Sequence, residues 1–400
     1  MGIIFVVALL ARLATIYLVV GWDGIYTADA SGDDKIAYSL IEGKGFTIDG
    51  TALAYRGPFY PLFLAAIYKV FGYRHWIAQL IQIFIGSLSC LVGYLIGARL
   101  FSKAVGLLSA LIMAGHPYLC LLTGYLLTET LFTLLLLLAV LWVVKFIDKP
   151  SWKQCLGAGL WLGVANLTRP IALAFPFFIF LWFWLNLRTK KDVLRMTLLI
   201  ISFMSLVITP WAYRNYRVFH KFIPVYIGLG RNLWGGNNPE VFKKVDKRGT
   251  WYMPDSIRIK TNLSEIDLDR RYTKLALEFI KENPKQFLIL LYFKFLKFWQ
   301  WGYSSTLRNT IITFLYGILF FPFMVLGFFL SLKHSRQTWI IHLLAIYFTI
   351  VSLIFFGSDG SSGTRYRVPL EPFLSIFVAY GLISLIKKYY PESRLLKFLE

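Results

Sequence analysis

The sequence predicts an all-α polytopic membrane protein, and its composition and apolar runs support this fold class. Of the 400 residues, 57% are hydrophobic and only 16% are charged, whereas an average soluble domain has about 25% charged residues. The runs 131–144, 311–332 and 339–356 carry few or no charges, and each approaches the roughly 20 residues that cross a bilayer. A soluble chain of this length would need far more polar surface to cover its core.

The first apolar run, 1–20, is interpreted as a retained transmembrane helix rather than a signal peptide. It lacks a basic n-region and a small-residue cleavage site, and Arg12 interrupts it. A helix at 287–299 is apolar but carries Lys294 and Lys297, so we expect an interfacial or partly inserted element. Further spans are predicted at 77–100, from 104 to 117, at 124–144, 155–167 and 170–186, in a run ending at Pro210-Trp211, and at 311–332, 339–356 and 369–386.

Basic residues indicate how these spans are oriented. Lys and Arg concentrate in the loops 145–153 (with Lys149), 188–195 (with Arg188) and 333–336, and in the tail from Lys387. The positive-inside rule places such loops in the cytoplasm, so with about ten spans both termini are expected there, in what we take to be a prokaryotic cytoplasmic membrane. We expect three modules: a transmembrane module 1–213 with an acidic first outer loop at 22–76, an outer polar segment 214–285, and a transmembrane module 286–400.

The net charge of +21 does not indicate a nucleic-acid partner in this setting. Cytoplasmic loops and anionic headgroups account for most basic residues of a membrane protein. Cys90, Cys120 and Cys155 lie in or beside apolar segments, with a spacing that fits neither a metal site nor a disulfide framework. They are interpreted as small buried hydrophobic residues.

The first outer loop is rich in carboxylates, with Asp23, Asp29, Asp33 and Asp34 near its start. One carboxylate beside a reacting hydroxyl can act as a general base, and Asp29, immediately beyond the first span, is our choice. Asp33 and Asp34 contest that role, or they start the following helix, where acids complement the helix dipole. Short amphipathic surface helices are expected at 34–41 and 60–71, and a further amphipathic helix is predicted at 265–282 in the outer polar segment.

A second group of polar residues flanks the outer turn between the third and fourth spans. His116 precedes this turn, and Glu129 lies about one helical turn inside the apolar segment that follows. An ionised carboxylate at that depth needs a partner. Pairing with an arginine and a catalytic role both stay open for Glu129.

Several arginines face outward against the positive-inside trend. Arginine binds phosphate through bidentate, charge-assisted hydrogen bonds, so this set predicts a site for a lipid phosphate; headgroup contact and ion pairing with the loop acids are the alternatives. The outward arginines are Arg56, Arg169, Arg214, Arg217, Arg365 and Arg367.

The sequence has no nucleotide-binding motif and no Asp-x-Asp motif, so no cofactor or metal is expected, although a divalent metal stays an open alternative. The pattern Asn262-Leu263-Ser264 is a glycosylation sequon of a kind frequent by chance.

Seven short motifs occur in an order that points to a known family. They are Ala28-Asp29-Ala30 with Ser39 to Phe46, Ala54-Tyr55-Arg56-Gly57-Pro58, Leu127-Thr128-Glu129, Leu167-Thr168-Arg169-Pro170, Pro210-Trp211-Ala212-Tyr213-Arg214, Gly235-Gly236-Asn237-Asn238-Pro239, and Arg365-Tyr366-Arg367-Val368-Pro369. Together they resemble the polyprenol-phosphate-dependent GT-C glycosyltransferases. The likeness is greatest to glycosyltransferase family 39 and its relatives, the protein mannosyltransferases and the lipid A aminoarabinose transferases.

This resemblance implies a fold and an activity. The fold would be a GT-C-like bundle of about 10–11 transmembrane helices with extracytoplasmic juxtamembrane helices. The activity would be an inverting transfer of a hexosyl or pentosyl group from a polyprenyl-phosphate donor, on the extracytoplasmic face, to a lipid, glycan or protein acceptor.

The resemblance also implies roles for single residues. Asp29 matches the family's catalytic aspartate, with Asp33 and Glu129 as further catalytic candidates. Arg56, Arg365 and Arg367 match positions near the lipid phosphate, and Arg169 is assigned to the same group. Tyr55, Arg214 and Asn237 are assigned to the acceptor side.

Two departures from the family pattern stand out. The family commonly has tyrosine where this chain has Asp33, which leaves open which carboxylate is the base. The usual Arg-Pro-Pro is Arg56-Gly57-Pro58 here, which we expect to loosen the turn. A transporter or flippase of a lipid-linked saccharide is the alternative function, and a non-catalytic scaffold is a third. A carrier would be expected to have ionisable groups along its path and two related halves, and the sequence has neither.

Overall fold

The structure of the protein is a computed structural model that describes residues 1–22, 27–148, 150–187, 189–258, 263–300, 307–358 and 365–391, with the backbone alone for 307–316. Some predicted features lie outside these residues. They are the acid at Asp23, the basic residues Lys149 and Arg188, the sequon at Asn262, and the tail beyond 391.

Helices make up nearly all of the regular structure. The first nine are α1 (Gly2–Thr15), α2 (Ala28–Ile41), α3 (Phe59–Phe71), α4 (His75–Leu100), α5 (Lys103–Ala114), α6 (Pro117–Leu121), α7 (Thr128–Val144), α8 (Trp152–Thr168) and α9 (Phe175–Asn186). The other eight are α10 (Lys190–Phe219), α11 (Leu229–Gly236), α12 (Pro239–Lys243), α13 (Glu265–Glu282), α14 (Pro284–Trp299), α15 (Leu307–Leu332), α16 (Trp339–Ile354) and α17 (Glu371–Tyr389).

One small hairpin interrupts this pattern inside the first loop. Strands β1 (Thr47–Ile48) and β2 (Thr51–Ala52) pair antiparallel, with Thr47 opposite Ala52. The two residues between them, Asp49 and Gly50, both have positive φ, as a two-residue type I′ turn requires.

The polytopic all-α fold class is confirmed. Within the described residues, five helices are long and apolar enough to cross a membrane, and the number is six if α5 and α6, which meet at a 55° bend, form one span. Three further predicted spans fall on shorter apolar helices: Thr128–Val144, Pro170–Asn186 and Gly317–Leu332. The five long helices are Gly2–Val20, His75–Leu100, Lys190–Phe219, Arg336–Ile354 and Arg365–Tyr389.

Two predicted helix bounds are wrong, and both corrections bear on the site. The helix predicted at 34–41 begins at Ala28, because the Thr27 hydroxyl caps it by accepting a hydrogen bond from Ala30 N at 3.1 Å. The span predicted to end at Pro210-Trp211 continues to Phe219. Proline removes only one backbone donor, and contacts beyond it stabilise the extension. The Trp211 indole and the Asn215 amide both donate to the carbonyl of Val225.

The chain divides into two compact units. The first comprises Met1–Val225, Pro322–Leu344 and the chain from Pro369. Its helices pack mainly as the pairs α4–α5, α4–α7, α7–α8, α8–α10 and α5–α17. The three-module division predicted from the sequence concerns the course of the chain through the membrane and stays a prediction.

The second unit comprises Tyr226–Phe321 and Ala345–Val368. The amphipathic helix predicted at Glu265–Glu282 is confirmed as α13, and it packs against α11 and α14. Their shared core includes Trp234, Tyr272, Phe279 and Leu290. Helix α14 turns its other face outward, and that face carries the exposed apolar side chains Leu288, Ile289, Tyr292, Phe295 and Leu296.

Asn215 tests the explanation for the extension of α10. Its buried amide donates to Ile223 O at 3.0 Å and to Val225 O at 3.2 Å. We expect Asn215→Leu to lower stability by about 1–3 kcal/mol, because Ile223 O loses its side-chain donor and Val225 O keeps only the one from Trp211. Thermal unfolding of the detergent-solubilised protein measures this. Thr209→Val is the control, since the Thr209 hydroxyl donates only within its own helix, to Ser205 O. Equal losses in both variants would refute the explanation.

Candidate active site

The candidate site is built on the first two turns of α2. Asp29 lies in the first turn, where a carboxylate complements the positive end of the helix dipole. Asp33 follows four residues later, so both carboxylates lie on one face of the helix. Their environments differ, since the Asp29 side chain is 51% exposed and that of Asp33 is 4% exposed.

Arg56 joins these two carboxylates. Its Nη1 donates to Asp33 Oδ1 at 3.2 Å, and its Nη2 donates to Asp29 Oδ1 at 3.3 Å. Gly32 makes room for this arrangement, because a Cβ at that position would lie 2.6 Å from Arg56 Nη2. The guanidinium also lies over the Tyr55 ring, 5.5 Å from its centroid. Tyr55 is therefore placed beside the two acids, through Arg56.

Asp34 has a different set of partners. Its buried carboxylate accepts hydrogen bonds from Tyr68, at 2.7 Å, and from Tyr73, and His75 Nε2 lies 3.3 Å away. Burial by itself raises the pKa of Asp34, but the hydrogen bonds from His75, Tyr73 and Tyr68 outweigh it, so the pKa is held below its usual value. The geometry thus makes Asp34 an anchor between α2 and the start of α4.

The turn Arg56-Gly57-Pro58 lies against the end of α8. A Cβ on Gly57 would be 2.6 Å from Leu167 O and 2.8 Å from Thr168 O. The glycine that replaces the family's proline was expected to loosen the turn. Its observed role is to let the backbone of the turn approach the motif that contains Arg169.

A second ion pair lies at that end of α8. Arg169 Nη1 donates to the carboxylate of Glu129 and, at 3.2 Å, to the Thr128 hydroxyl. Glu129 is fully buried in the first turn of α7. Pairing with an arginine, one of the two interpretations of Glu129, is therefore what the structure contains. His116 lies elsewhere, with Nε2 3.5 Å from the buried carboxylate of Glu371.

Two buried glutamines, which the sequence analysis did not single out, hold the turn before Glu129. Gln79 Nε2 donates to Gly124 O at 2.7 Å and to Gly21 O at 3.0 Å. Gln82 Nε2 donates to Thr123 O and Tyr125 O, and its Oε1 accepts from the Tyr60 hydroxyl at 2.9 Å. The detectable signal was two amides three residues apart in an apolar helix, where polar groups need internal partners.

Arg214, in the last turns of α10, binds the first loop. It donates to Leu53 O at 3.0 Å and to Phe46 O at 3.3 Å, and its guanidinium lies 4.7 Å from the centroid of the Trp211 ring. These contacts make Arg214 a support of the loop. Its assignment to the acceptor side stays a prediction.

The remaining predicted residues belong to the second unit. Asn237 is fully buried, donating to Leu233 O and Ile354 O and accepting from Lys294. Arg367 is also buried and donates to Phe298 O at 2.9 Å and to Gln300 O at 3.0 Å. Arg365 is partly exposed at the start of the helical turn Arg365–Leu370.

Within the part of the chain that the structure describes, no group of three or more His, Cys, Asp or Glu side chains is arranged to hold a metal ion. The cation that joins the carboxylates of Asp29 and Asp33 is the guanidinium of Arg56.

Comparison with solved structures defines the class of fold. The chain is similar to the Archaeoglobus fulgidus oligosaccharyltransferase in its apo form, with a TM-score of 0.56, 13% identity, and coverage of 98% of this chain and 51% of that one. The chain is also similar to the archaeal oligosaccharyltransferase AglB from Archaeoglobus fulgidus in complex with an inhibitory peptide and a dolichol-phosphate. Here the TM-score is 0.56 and the identity 13%, with coverage of 99% of this chain and 53% of that one. The chain thus spans about half the length of these proteins. The fold is the GT-C fold of membrane glycosyltransferases, as the sequence motifs predicted.

Two further similarities involve part of the chain and a second solved structure. Residues 55–213 match the family described as dolichyl-phosphate-mannose-protein mannosyltransferase. ArnT from Cupriavidus metallidurans in the apo state is also similar, with a TM-score of 0.47, 14% identity, and coverage of 95% of this chain and 76% of that one. No curated protein matches the chain at a significant level.

Gly57 tests the approach of the arginine turn to α8. We expect Gly57→Ala to lower stability by about 1–3 kcal/mol, as overpacking does, because the methyl group meets backbone carbonyls that cannot rotate away. Thermal unfolding in detergent is the measurement. Gly115→Ala is the matched control, since the nearest atom to its Cβ would be Leu111 O at 3.9 Å. A Gly57 variant as stable as the control would rule out the close approach.

Asp34 gives a pH-dependent prediction. Since its folded pKa is lowered, its ionised form stabilises the fold above the unfolded pKa of about 3.9, and this contribution is lost as the pH falls through the folded pKa. Asp34→Asn is therefore expected to cost about 1–3 kcal/mol near pH 7 and progressively less below pH ~4. Thermal unfolding across this pH range measures the difference from wild type. Asp148→Asn, at an exposed carboxylate beside Arg99, should show no such trend, and a constant difference for Asp34→Asn would contradict the anchor role.

Proposed function

We propose that the protein is a membrane glycosyltransferase that moves a sugar from a polyprenyl-phosphate donor to an acceptor, with inversion at the anomeric carbon. The observation that carries the proposal is that three neighbouring acids on α2 differ in their partners and in their exposure. Asp34 is occupied by Tyr68 and Tyr73, and Asp33 is buried against Arg56. Asp29 keeps half of its side chain exposed beside the same arginine.

In the proposed reaction, Asp29 is the general base. Its carboxylate accepts the proton of the acceptor's attacking group as that group forms a bond to the anomeric carbon. The bond between the anomeric carbon and the phosphate oxygen breaks, and its electron pair leaves with the lipid phosphate. Base catalysis of this kind contributes about 10²–10⁴ in rate.

Arg56 has two parts in this proposal. By bridging Asp33 and Asp29, it orients the exposed carboxylate, and a neighbouring positive charge favours the ionised form that can accept a proton. Its Nε–H is buried and has no hydrogen-bond acceptor among the described residues, so in the proposal it donates to the lipid phosphate only once substrate binding uncovers it.

The other arginines follow from the family motif and from their contacts. The proposal assigns the lipid phosphate to Arg365, which is partly exposed, and gives Arg367 a supporting role, since two backbone carbonyls occupy it. Arg169 with Glu129 forms a buried pair behind the Arg56 turn. We infer that this pair holds the turn in place rather than contacting substrate.

The substrate class rests on two comparisons. The matched family is described as dolichyl-phosphate-mannose-protein mannosyltransferase, and one structure with the same fold holds a dolichol-phosphate. Both support a polyprenyl phosphate as the donor lipid. The proposal keeps the setting predicted from the sequence, with the reaction on the outer face of a prokaryotic cytoplasmic membrane. The sugar and the acceptor stay open, and no nucleic-acid partner or cofactor forms part of the proposal.

Asp29→Asn tests the assignment of the base. We expect it to lower sugar transfer by about 10²–10⁴-fold, because the amide cannot accept the proton, while the unfolding temperature changes little at a half-exposed position. Transfer from a radiolabelled polyprenyl-phosphate sugar to endogenous acceptors in membranes is the measurement. Asp49→Asn, at an exposed carboxylate of the same loop, is the matched control and should keep full activity.

Two outcomes would overturn the proposal in different ways. Full transfer by the Asp29 variant would show that another group is the base. Movement of the lipid-linked saccharide across vesicles by the purified wild-type protein, without transfer of sugar, would favour the flippase alternative.

A further inference from the structure

A fully buried lysine lies in the second unit, remote in sequence from every catalytic candidate of the first unit. The Lys294 side chain, on α14, has no exposed surface. Its ammonium donates to Asn237 Oδ1 at 2.6 Å, to Leu353 O at 3.1 Å and to Ile354 O at 3.3 Å. Burial lowers the pKa of Lys294 to about 7, so the charge is costly to bury, and three oxygen acceptors offset that cost.

Two of these acceptors belong to the end of α16. Leu353 and Ile354 are its last residues, and the final carbonyls of a helix have no partner within the helix. A cation there also complements the negative end of the helix dipole. Asn237 Nδ2 donates to Ile354 O as well, at 3.1 Å. Lys294 and Asn237 together cap α16 and fix the point from which the chain continues.

The residues after α16 are packed against the same part of α14. A Cβ on Gly357 would lie 3.0 Å from Lys294 Cα, so the two backbones are in direct contact. Gly357 N donates to Gly249 O at 2.9 Å, and Trp251 N donates to Ser358 O at 2.8 Å. The segment 355–358 is thus held on two sides.

The segment that carries the arginines returns to the same helix. Arg367 donates to Phe298 O and Gln300 O, at the end of α14 and one turn beyond Lys294. The rings of Phe356 and Tyr366 meet edge to face, with centroids 4.7 Å apart. Helix α14 therefore contacts the segment 355–358 at Lys294, and the carbonyls of Phe298 and Gln300, at its end, bind Arg367.

We propose that Lys294 is a positioning residue for Arg365, because its ammonium fixes the end of α16 on α14 and thereby the segments 355–358 and 365–370. The inference rests on the proposed function in so far as Arg365 binds the donor phosphate. If Lys294 served packing alone, the three oxygen atoms around it would not need its charge or its N–H groups. Here the ammonium is their donor. An isosteric apolar side chain would leave Asn237 Oδ1 and Leu353 O without this donor and Ile354 O with Asn237 Nδ2 alone, and an unpaired buried polar group is the costlier state.

Hydrogen–deuterium exchange on the full-length protein in detergent micelles, without substrate, tests the positioning. We expect Lys294→Met to speed amide exchange in 355–358 and 365–370 by about 10-fold or more, the loss of one charge-assisted hydrogen bond being of that order. Peptides of α4 and α7 should be unchanged. Lys285→Met is the matched control, since Lys285 is an exposed lysine in the first turn of the same helix, and it should leave both segments as in wild type.

A kinetic measurement separates positioning from a general loss of stability. We expect Lys294→Met to raise the KM for the polyprenyl-phosphate donor by about 10-fold, with kcat changed much less, because the reacting groups on α2 are untouched. Lys294→Gln keeps two N–H donors on a shorter side chain, and its exchange rates and KM should fall between those of wild type and Lys294→Met. This variant decides the question if Lys294→Met does not fold.

The failures of the two proposals are distinguishable. Unchanged exchange in 355–358 and 365–370, or faster exchange throughout the chain in both Lys294 variants, would overturn the role of Lys294 whatever the activity. A wild-type protein that neither binds undecaprenyl phosphate in mixed micelles nor transfers sugar would overturn the proposed function, while the exchange data would still decide the positioning.

Discussion

The guanidinium of Arg56, shared between Asp29 and Asp33, is the interaction on which the rest of the candidate site depends. It requires a glycine at position 32, so that the arginine can lie across α2, and a glycine at position 57, so that its turn can reach the end of α8. Because of this approach, the Arg56 turn lies next to the motif whose Arg169 binds Glu129. The Asp29 and Asp33 carboxylates of α2 and the guanidinium of Arg56 thereby define one edge of the candidate site, and the Asp34 anchor fixes the rotation of the helix.

A second constraint acts on the whole chain, because lipid offers no hydrogen bonds to buried polar groups. The described polar side chains meet it largely with backbone carbonyls. Gln79 and Gln82 bind the turn before Glu129, Asn215 binds the chain after α10, and Lys294 binds the end of α16. The same requirement explains why Arg214 and Arg367, which the sequence motifs assign to substrate binding, donate hydrogen bonds to backbone carbonyls of the protein itself.

The sequence was sufficient for the fold class, for most helices and for the residues around which the site is built. Apolar length predicted the spans, and amphipathic period predicted α13 at its observed bounds. What it could not supply were contacts between residues distant along the chain. Because Thr27 caps it, α2 begins at residue 28, six residues before the predicted start at 34. Helix α10 continues past Pro210 because Trp211 and Asn215 donate hydrogen bonds to Val225 O. The hydrogen bonds that occupy Asp34 come from two tyrosines about 35 to 40 residues away, which no local pattern predicts.

The length of α10 has a consequence for the first loop. A helix of 30 residues is about 45 Å long, whereas the hydrocarbon core of a bilayer is about 30 Å thick. Up to about 15 Å of this helix therefore stands clear of the hydrocarbon, shared between its charged start, Lys190 to Arg195, and its last turns. Those last turns carry Trp211 and Arg214, the residues in contact with Phe46 and Leu53. Because Trp211 and Arg214 bind the first loop from these last turns, the length of the helix sets how far the loop lies from the start of α10.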